Sequence, residues 1–354
     1  MFNKPRGTYG IGPVRRKMLP LVRQLNRLLV ELEFRSRRTR LIGRPYHLFV
    51  DPVNSCNLRC PLCPTGLNLK GREKGKMSPQ VFDRVLRELG PYAFQILLYN
   101  WGEPLLHENI FDYVKSADNL GIETWLSSNL NILSDEAARA VVSSGLRHLI
   151  LSLDGTNPES YAEYRIGGDF HRVVENAKRL HRVKQKMESP LPHVTLQFLV
   201  FQHNAGDVPR VRALASEIGA DDVSIQSGYL GGKGQTPFIG SSDTRALIEK
   251  WLVKDPAFQG DFDYFRSDGV LNPNPCHFLW RTATINWDGS LSPCCCVYET
   301  STDFGNIMEE PFATLWNNKL FRSARAHFRS GQDVEAPKNI CHKCRVFAAP
   351  LRSK

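Results

Sequence analysis

The chain has 354 residues, 42% hydrophobic, 10% aromatic and 23% charged, a globular composition with room for one large domain and a small one. No stretch approaches the roughly 20 apolar residues that span a bilayer, and the N-terminus lacks an apolar signal core, so the sequence reads as cytoplasmic. The net charge of +10 sits in residues 1–44, which hold 12 basic residues against Glu31 and Glu33; the remainder is balanced, which excludes a charge-based argument for a nucleic-acid enzyme.

The first predicted element is a helix inside this basic arm, residues 1–44. Met18, Leu21, Val22, Leu25, Leu28, Leu29 and Leu32 recur at helical spacing and form one face. Arg23 and Arg27 lie on the other, followed by a cluster running from Arg35 to Arg40. Pro20 suits a helix start, and Gly43 and Pro45 end the segment. Three uses are open: packing of the apolar face on the body, peripheral contact with an anionic membrane, or grip on an acidic partner. The neutral body argues against nucleic acid.

Residues 45–230 alternate short apolar runs with amphipathic ones. Strands are expected near 47–53, 94–100, 123–127, 148–153, 193–201 and 222–226, and helices near 78–89, 109–119, 135–143, 170–186 and 208–218. Ser78 and Ser134 have the character of N-caps. Six strands joined by helices imply an α/β fold with a parallel sheet, and six are too few to close an eight-stranded barrel. The expectation is a partial (βα)6 barrel.

Gly228, Gly231, Gly232, Gly234 and Gly240 then mark a change, and residues 231–275 read as a connection. Residues 276–354 form a small C-terminal domain. There, 282–287 and 290–294 flank Asp288-Gly289 as a hairpin, and 311–330 reads as one amphipathic helix.

The chain has nine cysteines, at 56, 60 and 63, at 276, 294, 295 and 296, and at 341 and 344, with none in the 212 residues between Cys63 and Cys276. In a reducing compartment such clusters point to metal or catalysis rather than disulfides. Cys56-Asn57-Leu58-Arg59-Cys60-Pro61-Leu62-Cys63 follows the first strand. Thiolates this close suit iron–sulfur or zinc. A cubane held by three of them leaves one iron open for a ligand, whereas zinc would need a fourth ligand from elsewhere.

This C-x3-C-x2-C after the first strand resembles the radical S-adenosylmethionine superfamily. The resemblance implies a [4Fe-4S] cluster on Cys56, Cys60 and Cys63, whose open iron chelates S-adenosylmethionine. One electron, from a reducing partner such as flavodoxin or ferredoxin, then yields a 5′-deoxyadenosyl radical that takes hydrogen from substrate. Asn100-Trp101-Gly102-Glu103-Pro104 ends the second strand, where the family has a Gly-Gly-Glu-like segment for the methionyl amino group; Trp101 replaces the first glycine. Gly102 and Glu103 are therefore cofactor candidates. So are Ser127 and Asn129 after the third strand and Ser152 after the fourth, and Arg165 is the candidate partner of the cofactor carboxylate. The residue before the last cysteine, which is usually aromatic and packs near adenine, is Leu62.

Cys276, twelve residues, Gly289, four residues and Cys294, followed far on by Cys341-His342-Lys343-Cys344, resembles the auxiliary-cluster domains called SPASM and twitch. The implied ligands are Cys276, Cys294, Cys341 and Cys344, with Cys295 and Cys296 as alternatives to Cys294. A full SPASM domain has further cysteines, and only ten residues follow Cys344, so one auxiliary [4Fe-4S] cluster is expected. Four thiolates leave no open iron and imply an electron relay; structural zinc is the alternative.

The leading functional expectation is oxidation of a hydroxylated small molecule, a sugar, an aminocyclitol or a lipid-linked glycan. The second is peptide maturation by crosslink or epimerisation; no leader-binding module fits ahead of His47, which weakens this reading without excluding it, because such a module can be a separate protein. The third is a non-catalytic metal protein with an acidic partner. Tyr99, Gln197, Gln226 and Tyr229 are candidates to face the substrate, and no catalytic base is assigned.

Overall fold

Short apolar strands capped by amphipathic helices wind into a single, mostly parallel sheet, and that sheet sets where the functional side chains meet. The computed structural model describes residues 13–227, 250, 251, 253, 276–329 and 337–344, with side chains from residue 18 onward. The expected connection 231–275 and Tyr229 lie outside the described residues.

The six body strands are β1 (His47–Val50), β2 (Gln95–Leu97), β3 (Glu123–Ser128), β4 (His148–Ser152), β5 (His193–Val200) and β6 (Asp222–Ser227). Burial alternates along β3 and β5 with the two-residue period of a pleated strand. Leu48, Ile96, Leu126, Leu149 and Leu196 join one core with the covering helices α2 (Pro79–Leu89), α3 (Ile110–Asp118), α4 (Asp135–Ser143), α5 (Pro158–Tyr164), α6 (Phe170–Lys186) and α7 (Val208–Ile218). Ser78 and Ser134 cap α2 and α4 by accepting from Val81 N and Ala137 N. The helix α5 was not expected, although Asn157 caps it and Pro158 opens it, both ordinary start signals.

The strand order is β6-β5-β4-β3-β2-β1-β7-β8. Here β7 (Thr282–Ile285) and β8 (Leu291–Ser292) are the expected C-terminal hairpin. The sequence reading did not place it in the barrel sheet. It pairs β7 in parallel with β1, Leu48 opposite Ala283, and so covers the free edge of the partial barrel. A short helix α8 (Phe278–Arg281) leads into it. The single helix expected over 311–330 is two, α9 (Phe312–Leu315) and α10 (Lys319–Ala326). The break has a clear cause: the Asn318 side chain accepts from both Leu320 N and Phe321 N and starts a new helix.

The helix α1 (Pro13–Arg35) carries Pro20 inside it rather than at its start. Of its predicted apolar face, Met18, Leu21, Leu25, Leu28 and Leu32 are exposed, and Val22 and Leu29 are half-buried. The buried positions are Leu19, Arg23, Asn26, Val30 and Glu33. Arg23 donates to Gly90 O, Leu120 O and Gly121 O at 3.2, 2.8 and 2.8 Å. Glu33 accepts from Ile42 N and Gly43 N, and Glu31 forks with Arg281 at 2.8 and 2.6 Å. No described helix is long and apolar enough to cross a membrane.

Candidate active site

The loop after β1 carries the first three cysteines. Cys63 N donates to Cys60 O at 3.2 Å, and Leu67 N donates to Cys63 O at 2.8 Å. A Cβ on Gly66 would lie 2.4 Å from Cys60 O, so only glycine lets the loop close on this cysteine. Cys60 is buried, and Cys56 and Cys63 are half-buried. Burial pushes the Cys56 thiol up to about 11 and the Cys60 thiol up to about 12. Such thiols need a strong cation beside them to ionise.

The ends of β2, β3 and β4 bring most of the predicted residues to this loop. Gly102 packs backbone on backbone: an added Cβ would lie 1.8 Å from Val53 O. Glu103 N donates to Ser55 O at 2.9 Å. The Glu103 carboxylate is buried and accepts from Leu105 N, Ser128 Oγ and Asn129 N at 3.1, 2.7 and 2.8 Å. Burial raises its pKa against these bonds. A carboxylate has about four acceptor positions, so about one stays for a ligand. Asn129 Nδ2 donates to Asn57 Oδ1 at 2.9 Å and lies 3.7 Å from Cys56 Sγ. Ser127 and Ser152 meet across neighbouring strands, Oγ to Oγ 3.1 Å.

Arg165 reaches the same loop from the end of α5. Its Nη2 lies 2.6 Å from Asp154 Oδ2, and its Nη1 lies 4.0 Å from Cys60 Sγ. Burial opposes its charge, but the Asp154 carboxylate and Cys60 outweigh burial and hold the guanidinium charged. Leu62 packs against a buried cluster of Leu58, Cys60, Tyr164, Phe201 and Trp251.

Several partners were missed from the sequence. Asp154 lies in a segment already noted for Ser152, but its role appears only with Arg165 beside it. Asn131 donates to Tyr161 Oη at 2.8 Å and accepts from Asp169 N, which ties the β3 end to α5 and α6. Asp51, at the end of β1, is fully buried and accepts from Trp101 N at 3.2 Å.

The second cysteine group adjoins the first through β2. With its amide oriented as its neighbours require, Asn100 donates to Cys295 O at 3.2 Å and accepts from Trp101 Nε1 at 2.9 Å. The Trp101 ring meets Tyr298 edge-on at 5.5 Å. Burial, and then the neighbouring Cys341 and Cys344, push the Cys276 thiol well up. Cys294 is raised by its hydrogen bond with Cys296, by burial and by nearby Cys276. The fold thus brings Cys276 near Cys341 and Cys344 on one side and near Cys294 and Cys295 on the other. Of the expected substrate-facing residues, Tyr99 lies in the field of Cys295, Gln197 pairs with Ser152 in the sheet, and Gln226 donates to Ser224 Oγ.

Residues 50–208 match the family model described as the radical SAM superfamily. The chain belongs to this superfamily. Residues 276–345 of this radical SAM enzyme match SPASM, described as an iron-sulfur cluster-binding domain. It is 26% identical over 309 residues to a PqqA peptide cyclase of Gluconobacter oxydans, covering 84% of this chain and 83% of that one. It is 22% identical over 299 residues to a tungsten-containing aldehyde ferredoxin oxidoreductase cofactor-modifying protein of Pyrococcus furiosus, covering 78% and 82%. Its fold is similar to that of Streptococcus suis SuiB bound to S-adenosylmethionine, with a TM-score of 0.61 at 16% identity, over 94% of this chain and 81% of that one.

A radical SAM domain implies a [4Fe-4S] cluster that binds S-adenosylmethionine, and a SPASM domain implies an auxiliary iron–sulfur cluster. The residues present fit both. Cys56, Cys60 and Cys63 share one loop, and the Arg165 guanidinium 4.0 Å from Cys60 Sγ suits the negative charge of a thiolate-held cluster.

Proposed function

We propose that this radical SAM enzyme modifies a peptide. The observation that carries the reading is the similarity to a PqqA peptide cyclase over most of both chains. Oxidation of a hydroxylated small molecule, the leading expectation from a single auxiliary cluster, gives way to it.

In this reading Cys56, Cys60 and Cys63 hold the catalytic cluster, and Cys276, Cys294, Cys341 and Cys344 hold the auxiliary one. When bound, the catalytic cluster with S-adenosylmethionine supplies hydrogen abstraction, and the auxiliary cluster a place for an electron. The remaining acceptor position of Glu103 takes the methionyl amino group. Arg165, oriented by Asp154, offers its fork to the methionyl carboxylate. Asn129 holds the Cys56 side of the loop through Asn57. The serine pair Ser127 and Ser152 offers hydroxyls at the strand ends. Leu62, backed by Tyr164, Phe201 and Trp251, forms an apolar wall that excludes water and suits an adenine ring.

The test uses the anaerobically reconstituted enzyme, S-adenosylmethionine, a reductant and peptides encoded beside its gene, read by mass spectrometry. A crosslink removes a pair of hydrogens, and an epimerisation takes up deuterium from heavy water. An unchanged peptide, with oxidation of a sugar or aminocyclitol under the same conditions, would overturn the reading.

A further inference from the structure

The helix α1 is bound to the body by one face and leaves an unusual second face in water. Met18, Leu21, Leu25, Leu28 and Leu32 are 52, 57, 58, 61 and 64% exposed. Their steps alternate between three and four residues, which places all five on one stripe along the helix. Scattered surface leucines are ordinary, but a continuous stripe of large apolar side chains marks an interaction surface. The stripe is not needed to hold the helix. Arg23, Asn26, Glu31 and Glu33 do that with hydrogen bonds to Gly90, Leu120, Gly121, Arg44, Arg281, Tyr46 and the 42–43 backbone.

Charge selects the occupant. The helix sequence holds Arg15, Arg16, Lys17, Arg27 and Arg35, besides the Arg23 that is buried against the body, and Glu31 and Glu33 are its only acids. Glu31 is engaged by Arg281 and Tyr46, and Glu33 by Ile42 N and Gly43 N. A second copy of the helix, in either direction, would set cations against cations with no carboxylate left to relieve them. Nucleic acid would meet the arginines and leave the stripe in water. An anionic bilayer meets both needs, with acyl chains for the stripe and headgroups for the cations.

We propose that α1 lies in the surface of an anionic membrane, stripe inward, and holds the enzyme there as a peripheral protein. Because Arg23 and Glu31 bind α1 to the barrel and to the segment before β7, the helix holds the body at a fixed angle to the surface. This inference does not depend on the nature of the substrate.

The test is flotation of the full reconstituted chain with vesicles of phosphatidylcholine alone and of equal parts phosphatidylcholine and phosphatidylglycerol. The chain floats with the anionic vesicles and stays below with the neutral ones, and added salt weakens the binding. Leu25→Gln/Leu28→Gln lowers partition about tenfold or more, while Leu25→Met/Leu28→Met keeps it. Both variants keep the circular dichroism and iron content of the wild type, because these side chains are exposed. Failure to float with either vesicle, or equal flotation of the glutamine variant, overturns the proposal. So does a dimer in light scattering that the glutamine variant makes monomeric, since that gives the stripe to a second copy.

Discussion

Arg72 Nη2 donates to both carboxylate oxygens of Asp303, at 2.7 and 2.8 Å, across 231 residues of sequence. The two side chains are 1 and 8% exposed. Arg72 also donates from Nε to Tyr298 O and from Nη1 to Ser290 Oγ. It therefore locks the loop of the first cysteine group onto the hairpin of the second. Removing one partner leaves a buried charge, which costs about 3–5 kcal/mol. Asp303→Asn should lower the urea midpoint strongly and loosen iron at the second site before the first. Replacing both, as Arg72→Met/Asp303→Leu, should recover much of that loss. Equal stability of the single variant and wild type would show that the pair does not hold the two sites together.

Gly102→Ala tests the backbone approach. The new methyl would lie 1.8 Å from Val53 O and 2.8 Å from Ser55 O, backbone atoms that cannot turn aside. The β2 end must then move off the cysteine loop. The expected cost is about 3 kcal/mol or more. Iron at the first site should fall in the purified protein, with the second site retained. A variant with full iron and normal S-adenosylmethionine affinity would contradict the packing argument.

The body was legible because its signals are local. Alternation marks β5, and Ser78 and Pro79 start α2, so strand and helix positions could be read from neighbouring residues. The cysteine spacings were legible for the same reason. The pairing of β7 with β1 was not, since Leu48 and Ala283 meet in parallel with no linking turn to announce them. Periodicity also located the stripe of α1 but not its direction. The inward face mixes Leu19 and Val30 with Arg23, Asn26 and Glu33, whose hydrogen bonds with the body fix the direction of the helix. Asp154 likewise takes its meaning from Arg165 folding beside it.

Asp51 predicts a pH dependence. Burial pushes its carboxyl up to about 7, against the Trp101 N–H and Arg72 that favour the charged form. In an unfolded chain the value is about 3.9. The folded state thus binds this proton more tightly. The contribution is fully present below about pH 4 and is lost as pH rises through about 7, with an upper limit of about 4 kcal/mol. Asp51→Asn cannot titrate, so its stability should fall less than that of wild type between pH 5 and pH 8. Glu103 has the same sign in both proteins, so the difference isolates Asp51. Parallel curves for the two proteins would remove Asp51 as the source.

The consecutive cysteines separate by substitution. On the proposed assignment, reconstituted protein holds about eight irons in two cubanes, and Cys56→Ala/Cys60→Ala/Cys63→Ala keeps about four and loses S-adenosylmethionine cleavage. Cys294→Ala should lose auxiliary iron. Cys295 and Cys296, whose sulfurs lie 4.0 Å apart, should each be replaceable by alanine with iron retained. Iron loss in Cys296→Ala alone would move the ligand to that position, and zinc in place of iron would overturn the cluster assignment altogether.

Arg165 joins the proposed cofactor site to its support. Its guanidinium is paired with a fully buried Asp154, whose other oxygen accepts from Leu199 N at 2.8 Å. The carboxylate is therefore fixed by β5 and fixes the arginine in turn. A fork of parallel N–H donors suits the methionyl carboxylate in a way that a point charge does not. Arg165→Lys should keep the charge and the iron yet weaken S-adenosylmethionine binding about tenfold, measured by equilibrium dialysis. Asp154→Asn keeps an acceptor for Leu199 N but frees the guanidinium, so affinity should fall in the same direction, with a loss of stability from the unpaired buried cation. Unchanged affinity in Arg165→Lys, alongside a stability loss in Asp154→Asn, would make the pair a brace for α5 and take Arg165 out of the cofactor site.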